Sequence, residues 1–355
     1  MFNRHERIAR RNFLAGTAAL GAGTIVFGTG VACGSSNTPI ASAASRPIVY
    51  TTPTGSTSKP SVAAAGAVPP PNRAGVKKPF DATLPPLLSS AQPAQLVSSD
   101  AVVEVNTDTM MNAWTFGGAI PAPVLHVREG DVMRVKFTNS SKMPHSVDFH
   151  AAFSPMSKDP MGLLAPGESK DLELPIPFPG TFMYHCGAPP VYEHIGSGMY
   201  GAVVVDPKNG WPNKAAHEYV LVASELYLEP DTGGKVKTST QKLLDVRPDY
   251  MAFNGAAFQY IAAPLEAKAG ELIRLHVVNA GPTILTAFHV IGTIFETVYV
   301  GGNPANPLRG LQTFGIAPGD GAAFELRIPD PGMYPFVTHA FAFTELGAIG
   351  VIHVT

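Results

Sequence analysis

The second half of this chain repeats the first, and the repeat limits the folds open to it. The run GDVMRVKFTNSS at 130–141 is echoed by GELIRLHVVNAG at 270–281, and PGTFMYHCGA at 179–188 by PGMYPFVTHAF at 331–341. Both halves consist of short Val-, Ile- and Phe-rich runs that end in Gly, Pro or Asp, which is typical of antiparallel β-sandwiches. The sequence therefore predicts two tandem β-sandwiches related by duplication.

The chain divides into four segments by composition. We predict an export signal at 1–33, a Pro/Ala/Ser-rich linker at 34–97, a first sandwich at 98–208 and a second at 209–355. The 355 residues, 45% of them apolar, are enough to fill two cores. A formal net charge of -2 gives no basic footprint, so we expect no nucleic-acid partner.

The N-terminal segment has the pattern of a twin-arginine export signal. Arg10 and Arg11 precede a Gly- and Ala-rich stretch from Leu14 that carries no charge. The alternative is a membrane-spanning helix, for which the stretch is just long enough. Cys33 stands where a lipoprotein signal places its modified residue, and simple cleavage nearby is the alternative. The sequence thus predicts a periplasmic or otherwise extracytoplasmic protein, with Cys33 as a candidate lipid anchor to the membrane.

A set of soft metal ligands follows in the first sandwich. Cys186, His194 and Met199 lie close together in the run YHCGAPPVYEHIGSGMYG, and His145 lies upstream in MPHSVDFH. One thiolate, two imidazoles and a weak axial thioether are the ligands of a blue-copper site. Because Cys186 is needed as a thiolate, we expect no disulfide with Cys33. These four residues predict a type 1 copper.

Neighbouring side chains of an extended strand point to opposite faces, so His185 and Cys186 are not expected to bind one metal. The same parity places His150 on the face opposite His145, and Asp148 on the same face as His150. The residues therefore sort into two sets. The inner set is His145, Cys186, His194 and Met199, and the outer set is His150, His185 and Asp148.

The outer set has only two imidazoles, those of His150 and His185, which are too few to hold a catalytic metal firmly. His339 of the second sandwich is the natural third imidazole, and three imidazoles with one open position make a catalytic metal site. The covalent bond between His185 and Cys186 would give an electron a short path between the two metals. This arrangement predicts a one-electron reductase.

These motifs resemble those of copper-containing nitrite reductases of the two-domain cupredoxin type. The resemblance covers residues 97–355 through PHSVDFHAA, YHC...H...SGMYG, FHVIG and VTHAFAFTELGA. It implies an all-β chain of two tandem cupredoxin-like Greek-key β-sandwiches with one type 1 and one type 2 copper per subunit. The implied reaction is the one-electron reduction of nitrite to nitric oxide and water, a step of denitrification.

The resemblance also implies roles for individual residues. They are the type 1 copper ligands His145, Cys186, His194 and Met199, the type 2 copper ligands His150, His185 and, from a neighbouring subunit, His339, the catalytic residues Asp148 and His289, and the pocket residue Ile291. It implies a homotrimer, with a small cupredoxin or a cytochrome as electron donor. Thr313 is a candidate hydrogen-bond partner of His289, with an ordinary strand threonine as the equal alternative.

Two other functions remain open. A two-domain laccase-like multicopper oxidase needs many histidines, largely in His-x-His pairs, whereas this chain has 11 histidines and no such pair. A blue-copper electron-transfer protein would use only the first set of ligands, and the presence of Asp148 and His289 argues against it. The remaining strand histidines are expected to be structural: His126, His217, His276 and His353.

Overall fold

The structure is a computed structural model that describes residues 68–89, 92–153 and 162–355. The predicted export signal, the candidate lipid site Cys33 and most of the predicted linker lie outside the described residues. None of the described helices has the length and apolar character needed to cross a membrane.

The described part of the first half is built mainly of short strands. They are β1 (Ala94–Asn106), β2 (Thr109–Phe116), β3 (Leu125–Arg128), β4 (Val132–Asn139), β5 (Asp148–Phe149), β6 (Ser169–Pro175), β7 (Gly180–His185) and β8 (Tyr200–Asp206), with helix α1 (Val191–Gly196) between the last two.

The second half continues in the same way. Its strands are β9 (His217–Leu226), β10 (Leu228–Pro230), β11 (Val236–Thr238), β12 (Tyr250–Phe253), β13 (Leu265–Ala267), β14 (Leu272–Gly281), β15 (Thr286–Val290), β16 (Phe295–Val300), β17 (Pro307–Leu311), β18 (Phe314–Ile316), β19 (Gly321–Arg327), β20 (Gly332–Thr338) and β21 (Ile349–Val354). Its helices are α2 (Thr240–Leu244), α3 (Gln259–Ala262), α4 (Phe341–Thr344) and a 3-10 turn at Thr232–Gly234.

Each half forms a sandwich of two sheets. The first combines a four-stranded sheet, β3-β8-β7-β5, with a six-stranded sheet, β10-β11-β2-β1-β4-β6. The second combines a five-stranded sheet, β13-β21-β20-β15-β18, with a six-stranded sheet, β12-β9-β14-β19-β16-β17. The predicted all-β architecture of two sandwiches is confirmed.

One hairpin crosses from the second half into the first sandwich. Strands β10 and β11 pair antiparallel, with Leu228 opposite Thr238. Strand β11 then pairs with β2, with Val236 beside Met111. The division predicted after residue 208 therefore separates the two sequence repeats, but the first sandwich takes its last two strands from the second repeat.

The segment before β1 contacts both sandwiches. Thr83 forms a β-bridge with Tyr219, and the Leu88 amide donates to the carbonyl of His126 at 2.7 Å. Strand β1 begins at Ala94, inside the predicted linker, because its first residues pair in parallel with β4. The described part of the range predicted as a linker is thus fixed by backbone hydrogen bonds, and the first sandwich starts before the predicted boundary at 98.

Alternation along β7 and β8 gives the four-stranded sheet two apolar faces. Tyr184 and Val203 pack in the core of the first sandwich. Met183 and Val204 point the other way and pack between the sandwiches against Val220 of β9. Full burial of each such side chain contributes about 1.5–3 kcal/mol. Strand β7, which ends at His185, is therefore held rigidly between two cores.

A buried polar network lies beside this interface. Arg274, 1% exposed, pairs with Glu325 at 2.6 Å and with Glu218 at 2.9 Å. His276 is fully buried and hydrogen-bonds Glu218 at 3.3 Å and the Thr181 hydroxyl of β7 at 3.1 Å. Burial holds the pKa of His276 below its ordinary value, although Glu218 opposes this effect.

This burial predicts a contribution of His276 to acid sensitivity. The unfolded chain binds a proton at this histidine below pH 6.5, the ordinary pKa, while the folded protein keeps the ring neutral. Stability is therefore lost as pH falls, by up to about 1.4 kcal/mol per pH unit for this one group. In thermal denaturation scans, His276→Gln should lose less stability than the parent between pH 7 and 5.5. Equal acid slopes in the two proteins would contradict the assignment.

Candidate metal centres

Three of the predicted type 1 ligands converge inside the first sandwich. The Nδ1 atoms of His145 and His194 lie 3.2 Å apart. The Sγ atom of Cys186 is 3.3 Å from His194 Nδ1 and 3.7 Å from His145 Nδ1. All three side chains are buried. The structure thus brings together two imidazoles and one thiol at a single point that water does not reach.

Local backbone bonds place these ligands. Cys186 directly follows β7, and its amide donates to the carbonyl of Met199 at 3.1 Å. The Met199 amide donates to the carbonyl of His194 on α1, also at 3.1 Å. His145 is held by a two-way backbone bridge with Leu164. Met199 is fully buried in the same core cluster as Cys186, as an axial ligand requires.

The electrostatics of this cluster fit a bound cation. Burial raises the pKa of the Cys186 thiol, against hydrogen bonds such as that from the Ser146 amide at 3.4 Å. Burial, with His194 nearby, lowers the pKa of His145 to about 4, and burial lowers that of His194. A thiolate in this place therefore needs a positive charge other than imidazolium, which a metal ion supplies.

The distances between the donor atoms also fit a bound metal ion. Donors that each lie about 2 Å from one ion come within roughly 3–4 Å of each other. The three separations within this cluster fall in that range. Two imidazoles, a thiolate and a nearby thioether are the donor set of a type 1 copper. The residues present fit that metal.

The β10–β11 hairpin, which comes from the second sequence repeat, holds the ligand loop in place. The Ser197 hydroxyl donates to Thr238 Oγ1 at 3.0 Å, and Thr238 Oγ1 donates to the Gly196 carbonyl at 3.1 Å. A Cβ atom on Gly196 would lie 2.8 Å from Leu243 Cδ1, so glycine permits this close approach. The Trp114 ring on β2 lies 4.9 Å from the His194 ring. The loop is therefore held from both sides.

A second cluster forms on the opposite face, at the end of β7. The Nε2 atoms of His150 and His185 lie 3.1 Å apart, and Asp148 Oδ2 is 3.9 Å from His185 Nε2. His150 donates from Nδ1 to the Gly319 carbonyl at 3.0 Å, and His185 donates from Nδ1 to the Cys186 carbonyl at 2.9 Å. Both Nε2 atoms are therefore left as acceptors that face one point, which suits a metal.

His339 lies elsewhere in this chain. Within the described residues, the set of ligand atoms that joins Asp148, His150 and His185 does not include it. The His339 ring instead stacks on His289 at 4.9 Å, and its Nδ1 is buried without a hydrogen-bond partner. A buried nitrogen left unpaired costs free energy unless a ligand completes it. Within one chain, His339 is therefore separate from the second cluster; we call these two places the half-sites.

The surroundings of His289 differ from the prediction in one contact. Its Nδ1 donates to the backbone carbonyl of Gln312, whereas the sequence prediction had named the adjacent Thr313. A carbonyl of any residue type can play this role, so the sequence carries no signal for it. Ile291, the predicted pocket residue, follows β15 and is 43% exposed near this pair. The contact fixes the His289 tautomer, with Nε2 as acceptor.

A buried carboxylate positions the strand that carries His289. Glu225, 2% exposed, accepts hydrogen bonds from the Thr283 amide at 2.9 Å and the Ile284 amide at 2.6 Å. The Tyr227 hydroxyl donates to the same carboxylate at 2.7 Å. These bonds fix the turn that leads into β15. A lone Glu in a strand run gave no sequence signal of this role.

The histidines expected to be structural each lie beside a carboxylate. The pairs are His126–Asp206 at 3.1 Å, His217–Glu271 at 2.8 Å, His276–Glu218 at 3.3 Å and His353–Glu266 at 3.0 Å. In the described ranges, none of these four belongs to either ligand cluster. They are not available as further metal ligands.

Several known proteins are similar to this chain in sequence and in fold. The sequence model of the multicopper oxidase family matches residues 99–210. A copper-containing nitrite reductase of Neisseria meningitidis serogroup B is 36% identical over 76% of this chain and 72% of its own length. A copper nitrite reductase structure from Nitrosomonas europaea has 36% identity and a TM-score of 0.69, covering 74% of this chain and 94% of that one. A multicopper oxidase crystal structure has 31% identity and a TM-score of 0.65, covering 78% and 94%.

The hairpin clamp predicts an effect on metal retention. Thr238→Val keeps the side-chain shape but leaves the Ser197 hydroxyl and the Gly196 carbonyl without their partner, at a cost of about 1–3 kcal/mol. We expect a lower melting temperature and faster loss of the thiolate-copper absorption to a chelator. Thr232→Val, at an exposed position in the same hairpin, is the matched control. Release rates equal to those of the parent would show that the clamp does not hold the loop.

Proposed function

This chain belongs to the copper-containing nitrite reductase family, and on that premise we propose that it reduces nitrite to nitric oxide and water. Each nitrite consumes one electron and two protons. The observation that carries the proposal is the bond between His185 and Cys186, which belong to two different ligand clusters. A one-electron reductase needs such a link between the site that takes up the electron and the site that binds substrate.

The two clusters differ in burial, and this difference suits them to different roles in the reaction. The metals, when bound, would supply one-electron redox chemistry at the first cluster and Lewis-acid chemistry at the second. Cys186 and His145 are fully buried, so nitrite has no access to them. His150 is exposed and His185 is partly exposed. The second cluster is therefore the one that substrate can reach.

We propose two groups as the source of the protons. Asp148 is partly exposed and lies beside the Nε2 atoms of the second cluster. The Gln312 carbonyl accepts from Nδ1 of His289, which leaves Nε2 as the nitrogen that can face the substrate. We propose that the two act together as the proton donors of the reaction. Ile291 would then bound the substrate pocket.

We propose further that the half-sites meet across a subunit interface in a homotrimer. Both half-sites lie beside exposed aromatic side chains. Phe341, 71% exposed, contacts the His339 ring at 4.8 Å. Phe153, which follows His150 closely in the sequence, is 75% exposed and pairs with Phe178, which is 55% exposed. Exposed apolar surface of this kind marks an interaction site. A closed ring would bury it and supply His339 to each neighbour.

A laccase-like oxidase is the second candidate, because the multicopper oxidase family model and a solved multicopper oxidase both match. Such an enzyme needs a three-copper cluster rich in His-x-His pairs, and the sequence has none. An electron carrier with a single copper would have no use for the converging Nε2 atoms of the second cluster. Both alternatives are therefore less well supported than nitrite reduction.

The sequence also supports a proposal for where in the cell the protein acts. We propose export by the twin-arginine route to the periplasm or another extracytoplasmic compartment, with a lipid anchor at Cys33. The support is the paired arginines, the uncharged stretch after them and the position of Cys33. An electron donor, either a small cupredoxin or a cytochrome, would meet the protein there, and nitrite reduction would serve denitrification.

The first test is anaerobic nitric oxide production from nitrite with dithionite as donor. We expect production by the copper-loaded parent and none by His150→Ala, which should keep the thiolate-copper colour because the first cluster is intact. His353→Ala, which alters an exposed histidine–carboxylate pair, is the control and should match the parent. Colour without nitric oxide from the parent would overturn the proposed function.

The shared site predicts complementation between two inactive variants. His150→Ala lacks a ligand of one half-site, and His339→Ala lacks the ligand of the other. Each variant alone should be inactive, whereas mixed oligomers purified with two affinity tags should recover part of the activity, because some sites combine the intact halves. If every mixed oligomer remained inactive although the oligomers formed, a site built within a single chain would be the better account.

A further inference from the structure

Two buried asparagines stand at matching places in the two sequence repeats. Asn139 ends the run GDVMRVKFTN, and Asn279 ends the run GELIRLHVVN. Their side chains are 0% and 1% exposed. A turn of sequence Ala-Pro-Gly followed by an acidic residue is repeated as well, at 165–168 and at 317–320. We call Asn139 with the turn at 165–168 the first corner, and Asn279 with the turn at 317–320 the second corner.

The first corner holds a ligand of the first cluster. The Asn139 side chain donates from Nδ2 to the carbonyl of Leu164 at 2.8 Å. The same carbonyl accepts from the amide of His145 at 3.2 Å. The Asn139 amide donates to the Glu168 carbonyl at 2.9 Å, and its carbonyl accepts from the Gly167 amide at 2.7 Å. His145 is thus fixed within the sandwich to which it belongs.

The second corner repeats these bonds. The Asn279 side chain donates from Nδ2 to the carbonyl of Ile316 at 2.9 Å. The Asn279 amide donates to the carbonyl of Asp320 at 3.0 Å, and its carbonyl accepts from the amide of Gly319 at 2.7 Å. The position that carries the ligand in the first repeat is Phe288 here, a residue of the second core. The second corner therefore holds no ligand at that position.

The second corner contacts a ligand of the first sandwich instead. The Gly319 carbonyl accepts a hydrogen bond from Nδ1 of His150 at 3.0 Å. This bond leaves Nε2 of His150 as the nitrogen that faces the second cluster, and it orients the ring. His150 is exposed, so packing restrains its ring less than the rings of the buried ligands. The orientation of His150 therefore depends on where the turn holds Gly319.

Asn279 also reaches the strand that carries His289. Its Nδ2 donates to the carbonyl of Ile284 at 2.8 Å, and its Oδ1 accepts from the amide of Gly281 at 3.0 Å. Ile284 lies in the turn that leads into β15, the strand with His289. An amide side chain has two N–H donors and one carbonyl, so it can bind both turns at once, which neither a carboxylate nor an apolar side chain can do. Asn279 therefore connects the turns beside both half-sites.

We infer that Asn279 is a positioning residue for the second metal and that it acts on His150 through the backbone of Gly319. The inference rests on the proposed function, which requires a copper at the second cluster. Loss of a group that orients a metal-bound histidine weakens metal binding by about 10- to 100-fold. Asn279→Ala should therefore weaken copper binding at the second cluster and spare the first. Asn139→Ala, the same truncation in the first corner, should do the reverse.

Copper binding by the full chain distinguishes the two corners. The type 2 copper signal in electron paramagnetic resonance reports the second cluster, and the thiolate-copper absorption reports the first. In a chelator titration, Asn279→Ala should lose the type 2 signal at an about tenfold lower chelator concentration than the parent, while the absorption persists. Asn139→Ala is the matched control and should lose the absorption first. Equal loss of both metals from both variants would overturn the inference, as would a type 2 affinity of Asn279→Ala equal to that of the parent.

A milder pair of variants decides the question if the asparagine variants do not fold. Gly167 and Gly319 have φ of 88° and 84°, so alanine strains both turns alike. A Cβ atom on Gly319 would lie 3.4 Å from Cε1 of His150, whereas one on Gly167 would meet nothing within 4 Å. Gly319→Ala should therefore weaken the second metal and change its type 2 signal, and Gly167→Ala should leave both unchanged. Identical type 2 signals and affinities in the two variants would contradict the inference.

Nitric oxide production separates this inference from the proposed function. If the parent held two coppers per chain and formed no nitric oxide with dithionite, the proposed function would be overturned, while the copper affinities would still test the role of Asn279. If the parent formed nitric oxide and Asn279→Ala kept its second copper as firmly, the inference alone would be wrong. A parent that takes up a single copper would overturn the inference together with the second metal centre.

Discussion

The alternation of side chains along β7 is the constraint on which the rest of this structure depends. The strand lies between two hydrophobic cores, so each of its residues must face one or the other. At its end this rule assigns the sulfur of Cys186 to the buried side and the imidazole of His185 to the accessible side. A shift of one residue in register would exchange the two faces and destroy both clusters at once. The tight packing of β7 and β8 makes such a shift costly.

The contrast in burial between the clusters follows from the same strand. One side of the sheet is sealed by the core of the first sandwich, which explains why burial keeps the thiol and both imidazoles there uncharged without a cation. The other side opens where β5 ends, so His150 reaches solvent. One strand end thus separates a dry environment for electron uptake from a wet one for an anionic substrate. Neither environment needs a dedicated domain of its own.

Much of this arrangement could be predicted from the sequence. The repeat and the alternating runs predicted two sandwiches, and strand parity separated Cys186 and His145 from His185, His150 and Asp148, as the structure does. What could not be predicted depends on backbone atoms and long-range pairing. The Gln312 carbonyl, the Gly319 carbonyl and the crossing hairpin carry no residue-type signal, because any side chain is compatible with them. The linker prediction met the same difficulty at β1, where pairing with β4 outweighs a composition rich in serine and alanine.

The crossing hairpin also sets an order of events during synthesis. A ribosome releases the first repeat, including all four buried ligands, before residues 228–244 exist outside it. Until those residues emerge, the loop of α1 has neither its Thr238 bonds nor the cover of Leu243. The site for the first metal is therefore completed by a part of the chain made later. A nascent chain stalled after the first repeat would hold every ligand of that metal and still lack the closed loop that retains it.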